Sequence, residues 1–108
     1  MTGSATVVYA YGCNEFEWHA IKAESNFRKH GVTFNEAATI FEDDRALLAD
    51  DSNHSDEEAR FLLLGTSDRS RLLSVVHMER GSRLRIISAR PATNEERRQY
   101  DGKAGTGF

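Results

Sequence analysis

The apolar and polar positions change period several times along the chain, and each change marks an element. Thr6 to Tyr11 is a β-prone run ending at Gly12, which reads either as an extra edge strand or as a loosely attached extension. Residues 16–30 read as a short extended lead-in followed by a helix. In that helix Ala20, Ala23 and Phe27 fall at i, i+3 and i+7, a stripe facing a core. Lys22, Asn26 and Lys29 keep the same spacing on another side and make a polar ridge with two cations. Gly31 stands where a helix end favours a left-handed residue, and Lys29 and His30 complement the dipole in the last turn. Thr33 to Glu36 has the capping-box pattern. Phe34, Ala37, Ala38 and Phe41 follow at i, i+3, i+4 and i+7, and Glu42-Asp43-Asp44 ends this second helix.

Beyond residue 45 the period shortens. Residues 45–50 read as a strand, and residues 51–59 as a polar connection in which Ser55 to Glu58 repeats the capping-box spacing. Arg60 to Thr66, Leu72 to Glu79 and Arg83 to Ala89 read as strands, the last two joined by a turn at Arg80-Gly81-Ser82-Arg83. A third capping box, Thr93 to Glu96, opens a helix through about Tyr100, and the glycine-rich residues 102–108 read as a frayed tail. The predicted architecture is α+β: N-terminal helices packed on a three- to four-stranded antiparallel sheet, then a short C-terminal helix. One domain spans residues 14–101. Leu62-Leu63-Leu64, Val75-Val76 and Ile86-Ile87 break the alternation of half-exposed strands, so both sheet faces are at least partly covered. The N-terminal helices cover one face; the other needs the terminal helix, a dimer mate or a protein partner.

Composition narrows the class. A chain of 108 residues with 39% hydrophobic content supports a single core. No apolar run approaches the roughly 18 residues of a membrane span. Met1 to Cys13 lacks the basic and apolar regions of a secretory signal, and a lone Cys13 cannot close an internal disulfide, which together indicate the cytoplasm. The net charge of −3 excludes a protein held to nucleic acid by bulk charge. The charge is uneven, however: Glu42 to Glu58 is acid-rich and Arg69 to Arg98 arginine-rich, so any such binding works through local patches.

The candidate chemistry lies with Arg60, His77, Arg80, Arg83, Arg85 and Arg90, on or beside the strands. Guanidinium forks match phosphate oxygens and stay charged at any working pH; the other reading is solvated arginines that pair with the acidic loop. His77 is either a general acid or base or a half-buried histidine held by a backbone group. Glu58 and Arg60, two apart, share a face in extended chain, as a base with its charge partner or as an ion pair. His54 alone in an acidic loop is a weak metal signal, and no EF-hand, Walker, Rossmann, nucleophile-elbow or zinc pattern occurs, so neither metal nor cofactor is expected.

FEW at Phe16, KHG at Lys29, VTFNEAATIFED at Val32, HSDEEARFLLLG at His54, HMERG at His77, RIISAR at Arg85 and ERRQY at Glu96 together resemble the BrnT toxins. The resemblance covers about residues 15–101. It implies a RelE/ParE-like fold and the toxin half of a type II toxin–antitoxin pair. It further implies a ribonuclease neutralised by a BrnA-type antitoxin that also binds operator DNA, in a complex built around an antitoxin dimer, hence 2:2. The sequence departs from the family at His19, where Asp is common, and at Met78, where Thr is frequent. Metal-free cleavage of RNA by its own 2′-hydroxyl would then use Arg60, Arg80 and Arg90 as phosphate-stabilising charge and Glu58 or His77 for proton transfer. Lys22, Lys29, Arg83 and Arg85 would bind the RNA. A non-catalytic interaction module and a gyrase-directed toxin of the same fold are the alternatives.

Overall fold

Six strands make one sheet in the computed structural model, which describes residues 5–51 and 58–105, the side chains of 103–105 excepted. The elements are β1 (Thr6–Tyr11), β2 (Asn14–His19), α1 (Ala20–His30), α2 (Phe34–Thr39) with a 3₁₀ turn at Ile40–Glu42, β3 (Leu47–Asp50), β4 (Phe61–Thr66), β5 (Leu72–Arg80), β6 (Arg83–Pro91) and α3 (Asn94–Gly105). The sheet order is β1-β2-β6-β5-β4-β3. β2 and β6 run parallel, Phe16 opposite Leu84 and Glu17 opposite Arg85, and the other neighbours are antiparallel. This corrects the predicted three- to four-stranded antiparallel sheet. The meander β3 to β6 is the part read from sequence; β1 and β2 extend it through a parallel contact. β2 is a strand because Phe16 and Trp18 are buried while Glu15 and Glu17 alternate with them toward the other face. Gly12 turns β1 into β2 at φ 61°.

α1 and α2 pack on the face formed by Phe16, Trp18, Leu63, Leu73, Val75, Ile86 and Ala89, where Val32, Phe34, Ala37, Ala38 and Ile40 complete the core. Thr33 caps α2 by accepting from the Glu36 N–H at 3.0 Å. His19 caps α1, its Nδ1 accepting from the Ile21 N–H at 3.2 Å. Gly31 ends α1 in the left-handed region, φ 71°, and its N–H donates to the Phe27 carbonyl.

The rotation of α1 about its axis differs from the predicted stripe. Ala20 is exposed and Phe27 is 51% exposed, whereas Asn26 is buried between Ala23 and His30, which are only partly covered. The cause lies in the sheet. β2 leaves β6 after Arg85, so the backbone of Ala89 meets no strand on that side. Asn26 fills the gap: its amide donates to the Ala89 carbonyl at 2.8 Å and to that of Val32 at 3.1 Å, and its Oδ1 accepts from the Ala89 N–H at 3.1 Å. Satisfying buried backbone groups decides which side of the helix faces inward.

α3 continues past Tyr100 to Gly105. It is fastened by polar groups: the Tyr100 hydroxyl donates to Asp43 at 2.7 Å and lies 3.2 Å from the Thr66 hydroxyl. The predicted capping spacing at Ser55 to Glu58 lies, Glu58 excepted, outside the described residues, as do the metal signal at His54 and the end of the predicted tail at 106–108. Among the described residues no helix is long and apolar enough to cross a membrane.

Candidate functional site

The sheet alternation puts Arg80, Arg83 and Arg85 on the face away from α1 and α2, at the end of the β5–β6 hairpin. Carboxylates from two other segments meet them there. Arg85 Nη1 donates to Glu17 at 2.6 Å, Arg83 lies 3.3 Å from Glu15 and 3.7 Å from Glu17, and Arg80 lies 3.5 Å from Glu58. Arg60 precedes Leu62 by two residues and so falls on the same face, its carbonyl extending the ladder by accepting from the Asp51 N–H at 2.8 Å. Glu17 is nearly buried, its side chain 10% exposed; Glu58 and Arg80 stand in solvent.

Each guanidinium has five N–H donors, and one carboxylate contact leaves most of them open. Glu15, Glu17 and Glu58 therefore orient the forks without using them up, and the remaining donors form a surface suited to the oxygens of a phosphodiester. A carboxylate beside these cations is also within the chemistry of proton abstraction.

The predicted catalytic set does not converge on one point. Glu58, Arg60 and Arg80 gather at the hairpin end. Arg90 sits opposite Ser74, six residues from Arg80 along the ladder, a separation of roughly 20 Å. There it makes a two-pronged pair with Glu96, at 2.8 and 2.9 Å, which ties α3 to β6. That pair holds the Glu96 carboxyl below its usual range. His77 points to the opposite face. It is 5% exposed, wedged between the rings of Phe41 and Phe61 at 4.8 and 5.9 Å, and burial pushes its pKa down. A sheet thickness separates its imidazole from the arginines.

The predicted RNA-binding residues divide in the same way. Arg83 and Arg85 belong to the hairpin end. Lys22 and Lys29 line a cleft of about 210 Å3 between α1 and β6, together with Ser25, Asn26, His30, Ile87 and Ser88. Neither lysine makes an ion pair among the described residues. Ile87 is the extra residue of a β-bulge, since Val76 faces Ser88 while His77 faces Ile86, and it is one of the residues lining this cleft.

Sequence reasoning missed Glu15 and Glu17. Their signal was present: charged residues alternating with Phe16 and Trp18 mark a strand with one face open. Glu36, expected only to complete the Thr33 capping box, is instead a buried carboxylate that accepts from Arg71 Nε at 3.0 Å and from the Ser67 hydroxyl at 2.7 Å. The hydrogen bond from Arg71 lowers its pKa from the ordinary value, against the opposing effect of burial. Among the described residues no group of His, Cys, Asp or Glu is arranged to hold a metal ion.

The family model described as "Ribonuclease toxin, BrnT, of type II toxin-antitoxin system" matches residues 18–96. Among solved structures, the crystal structure of the Brucella abortus ribonuclease toxin BrnT is similar, with a TM-score of 0.54 and 22% sequence identity, covering 71% of this chain and 94% of that one. No curated protein matches the chain.

Proposed function

The chain belongs to the BrnT family of ribonuclease toxins of type II toxin–antitoxin systems, and from that premise we propose that it cleaves RNA without a metal, at the hairpin end of the sheet. The observation that carries this reading is the gathering of Arg80, Arg83 and Arg85 with Glu17 and Glu58 on the sheet face away from α1 and α2. A phosphodiester seated over the three guanidiniums presents its phosphorus to the neighbouring 2′-oxygen. Glu58, exposed and beside Arg80, takes the 2′-hydroxyl proton. The 2′-O–P bond forms, the P–O5′ bond breaks, and the departing 5′-oxygen takes a proton from water. The products are a 2′,3′-cyclic phosphate and a 5′-hydroxyl. Arg60 adds charge from the adjoining strand, and Lys22 and Lys29 hold the RNA backbone. His77 and Arg90 have no part in the chemistry on this reading, the first because it is buried on the other face and the second because it lies roughly 20 Å along the ladder from the hairpin end.

The partner on this reading is a BrnA-type antitoxin, in a 2:2 complex that reaches operator DNA only through the antitoxin, in the cytoplasm. Support comes from the type II system to which the family belongs. The test is RNA cleavage by the purified chain in EDTA, with the product ends identified. Arg80→Ala and Arg83→Ala are each expected to slow cleavage roughly 100-fold, the loss typical of one well-aimed donor. Cleavage that is abolished by EDTA, or that proceeds at the wild-type rate in both variants, would overturn the reading.

A further inference from the structure

Phe27 is where the predicted core stripe fails, and its surroundings suggest why a large aromatic side chain stands half in solvent. It borders a cleft of about 480 Å3 whose other walls are Gly31, Arg69 and Arg71. That volume is within the roughly 300–1,000 Å3 usual for small-ligand sites. The floor is rigid. Arg71 is anchored by Glu36 and also donates to the Gly31 carbonyl at 3.1 Å, joining the β4–β5 turn to the end of α1. Ser67 organises the turn: its hydroxyl accepts from the N–H groups of Arg69 and Arg71, and its carbonyl accepts from Ser70, which holds a left-handed φ of 63°. Arg69, at the tip of this turn, is exposed and makes no ion pair among the described residues. Of the carboxylates nearby, Glu36 is already taken up by Arg71 and Ser67, and that of Asp68 lies 3.5 Å from the Thr39 hydroxyl.

We propose that the Phe27–Arg69–Arg71 cleft binds one unstacked nucleotide of the RNA substrate, its base on the Phe27 ring and its phosphate at Arg69. This deepens the RNA-cleaving reading above and rests on it. The two features need one ligand that is flat and aromatic at one end and anionic at the other. An acidic protein side chain would satisfy Arg69 but leave the ring exposed, whereas a nucleotide supplies both ends. The cleft with Lys22 and Lys29 lies on the other flank of α1, so a strand crossing the end of this helix meets cations on both sides.

The test measures binding of a short single-stranded 2′-O-methyl RNA, which lacks the nucleophile, and of the same backbone without bases. Phe27→Ala should weaken binding of the first probe roughly 10-fold, as expected for loss of one stacked base, and leave the abasic probe unchanged. Phe27→Trp should restore affinity. Arg69→Ala should weaken both probes, and the exposed Arg97→Ala neither. In cleavage assays Phe27→Ala should raise KM and spare kcat. If Phe27→Ala and Arg69→Ala bind like the wild type while the wild type still cleaves RNA, the cleft is wrong and the ribonuclease reading stands. If the wild type neither binds nor cleaves RNA, that reading fails first. Unchanged RNA affinity with a weakened antitoxin complex would assign the cleft to a protein partner instead.

Discussion

The two ends of β6 hold their cations in opposite ways. At the hairpin end Arg83 and Arg85 are each held by carboxylates of β2, and Arg80 by Glu58. Toward the other end, past the bulge at Ile87, Lys22 and Lys29 of α1 stand beside the strand with no ion pair among the described residues. The first arrangement fixes direction: a guanidinium restrained by a carboxylate needs little reorganisation when charge develops on a phosphate. The second fixes only the sign of the charge, since a flexible ammonium serves as a point charge. On the proposed reading, the paired end carries chemistry and the unpaired end carries binding.

The largest effect that can break this division is kinetic. Arg83→Ala is expected to act mainly on kcat, by the factor of roughly 100 given above. Lys22→Ala and Lys29→Ala should leave kcat within a few-fold. Steady-state kinetics on all three variants decide the matter: a kcat loss at Lys22 equal to that at Arg83 would mean that both ends act in one step.

The next effect is on stability, at the support behind the Phe27 cleft. Glu36 is nearly buried and faces Arg71, so Glu36→Gln is expected to destabilise the fold by about 2 kcal/mol, discounted because Arg71 is partly solvated. Its dependence on pH follows from the direction of the shift. The folded carboxyl is held below its ordinary value of 4.5 by Arg71, so its contribution is complete above that value and fades as pH falls through the lower folded pKa. Denaturant unfolding across this range should show wild type and variant converging at acid pH. A gap that stays constant would mean that the pair contributes shape rather than charge.

A smaller effect separates positioning from general attraction. Each phosphate neutralised on a single strand contributes about 0.7 to the slope of log affinity against log salt. Lys22→Ala and Lys29→Ala should each lower that slope by about this amount and weaken binding to any RNA sequence alike, read by titration at several salt concentrations. Unchanged slopes in both variants would remove the α1–β6 cleft from the RNA path.

What could be read from sequence follows what local pattern encodes. The β5–β6 hairpin and the Thr33 cap were legible because their signals lie within a few neighbouring residues. The mixed sheet was not, because the parallel contact of Phe16 with Leu84 joins segments far apart in the chain, and nothing local announces it. The stripe on α1 failed for a related reason. Ala20, Ala23 and Phe27 carry the apolar periodicity, but the unpaired backbone at Ala89 required Asn26 in the interface, and one buried amide outweighed two apolar positions. The arginines could be picked out as cations of the strands but not sorted, because whether a guanidinium is held by Glu17, Glu58 or Glu96 depends on tertiary partners. Mismatch between local pattern and observed burial is itself informative: Phe27, displaced from the core, borders the cleft assigned here to a nucleotide.

The smallest expected effect concerns His77, the titratable group that faces neither set of cations. Burial between Phe41 and Phe61 lowers its pKa from the ordinary 6.5, so the folded chain resists the proton that the unfolded chain accepts. The stability that this histidine governs is therefore level above about pH 6.5 and falls as the pH drops below it, toward the lower folded pKa. His77→Phe removes the titration and should flatten this limb, leaving the carboxylate-dependent loss at lower pH in place. The same variant bears on the chemistry. On the proposed reading its kcat stays within a few-fold of the wild type, and the pH–rate profile keeps its shape, because Glu58 and not the imidazole takes the 2′-hydroxyl proton. A folded His77→Phe protein that had lost cleavage would return the histidine to the mechanism, and would require the sheet to open enough for a face now packed with aromatic rings to reach the RNA.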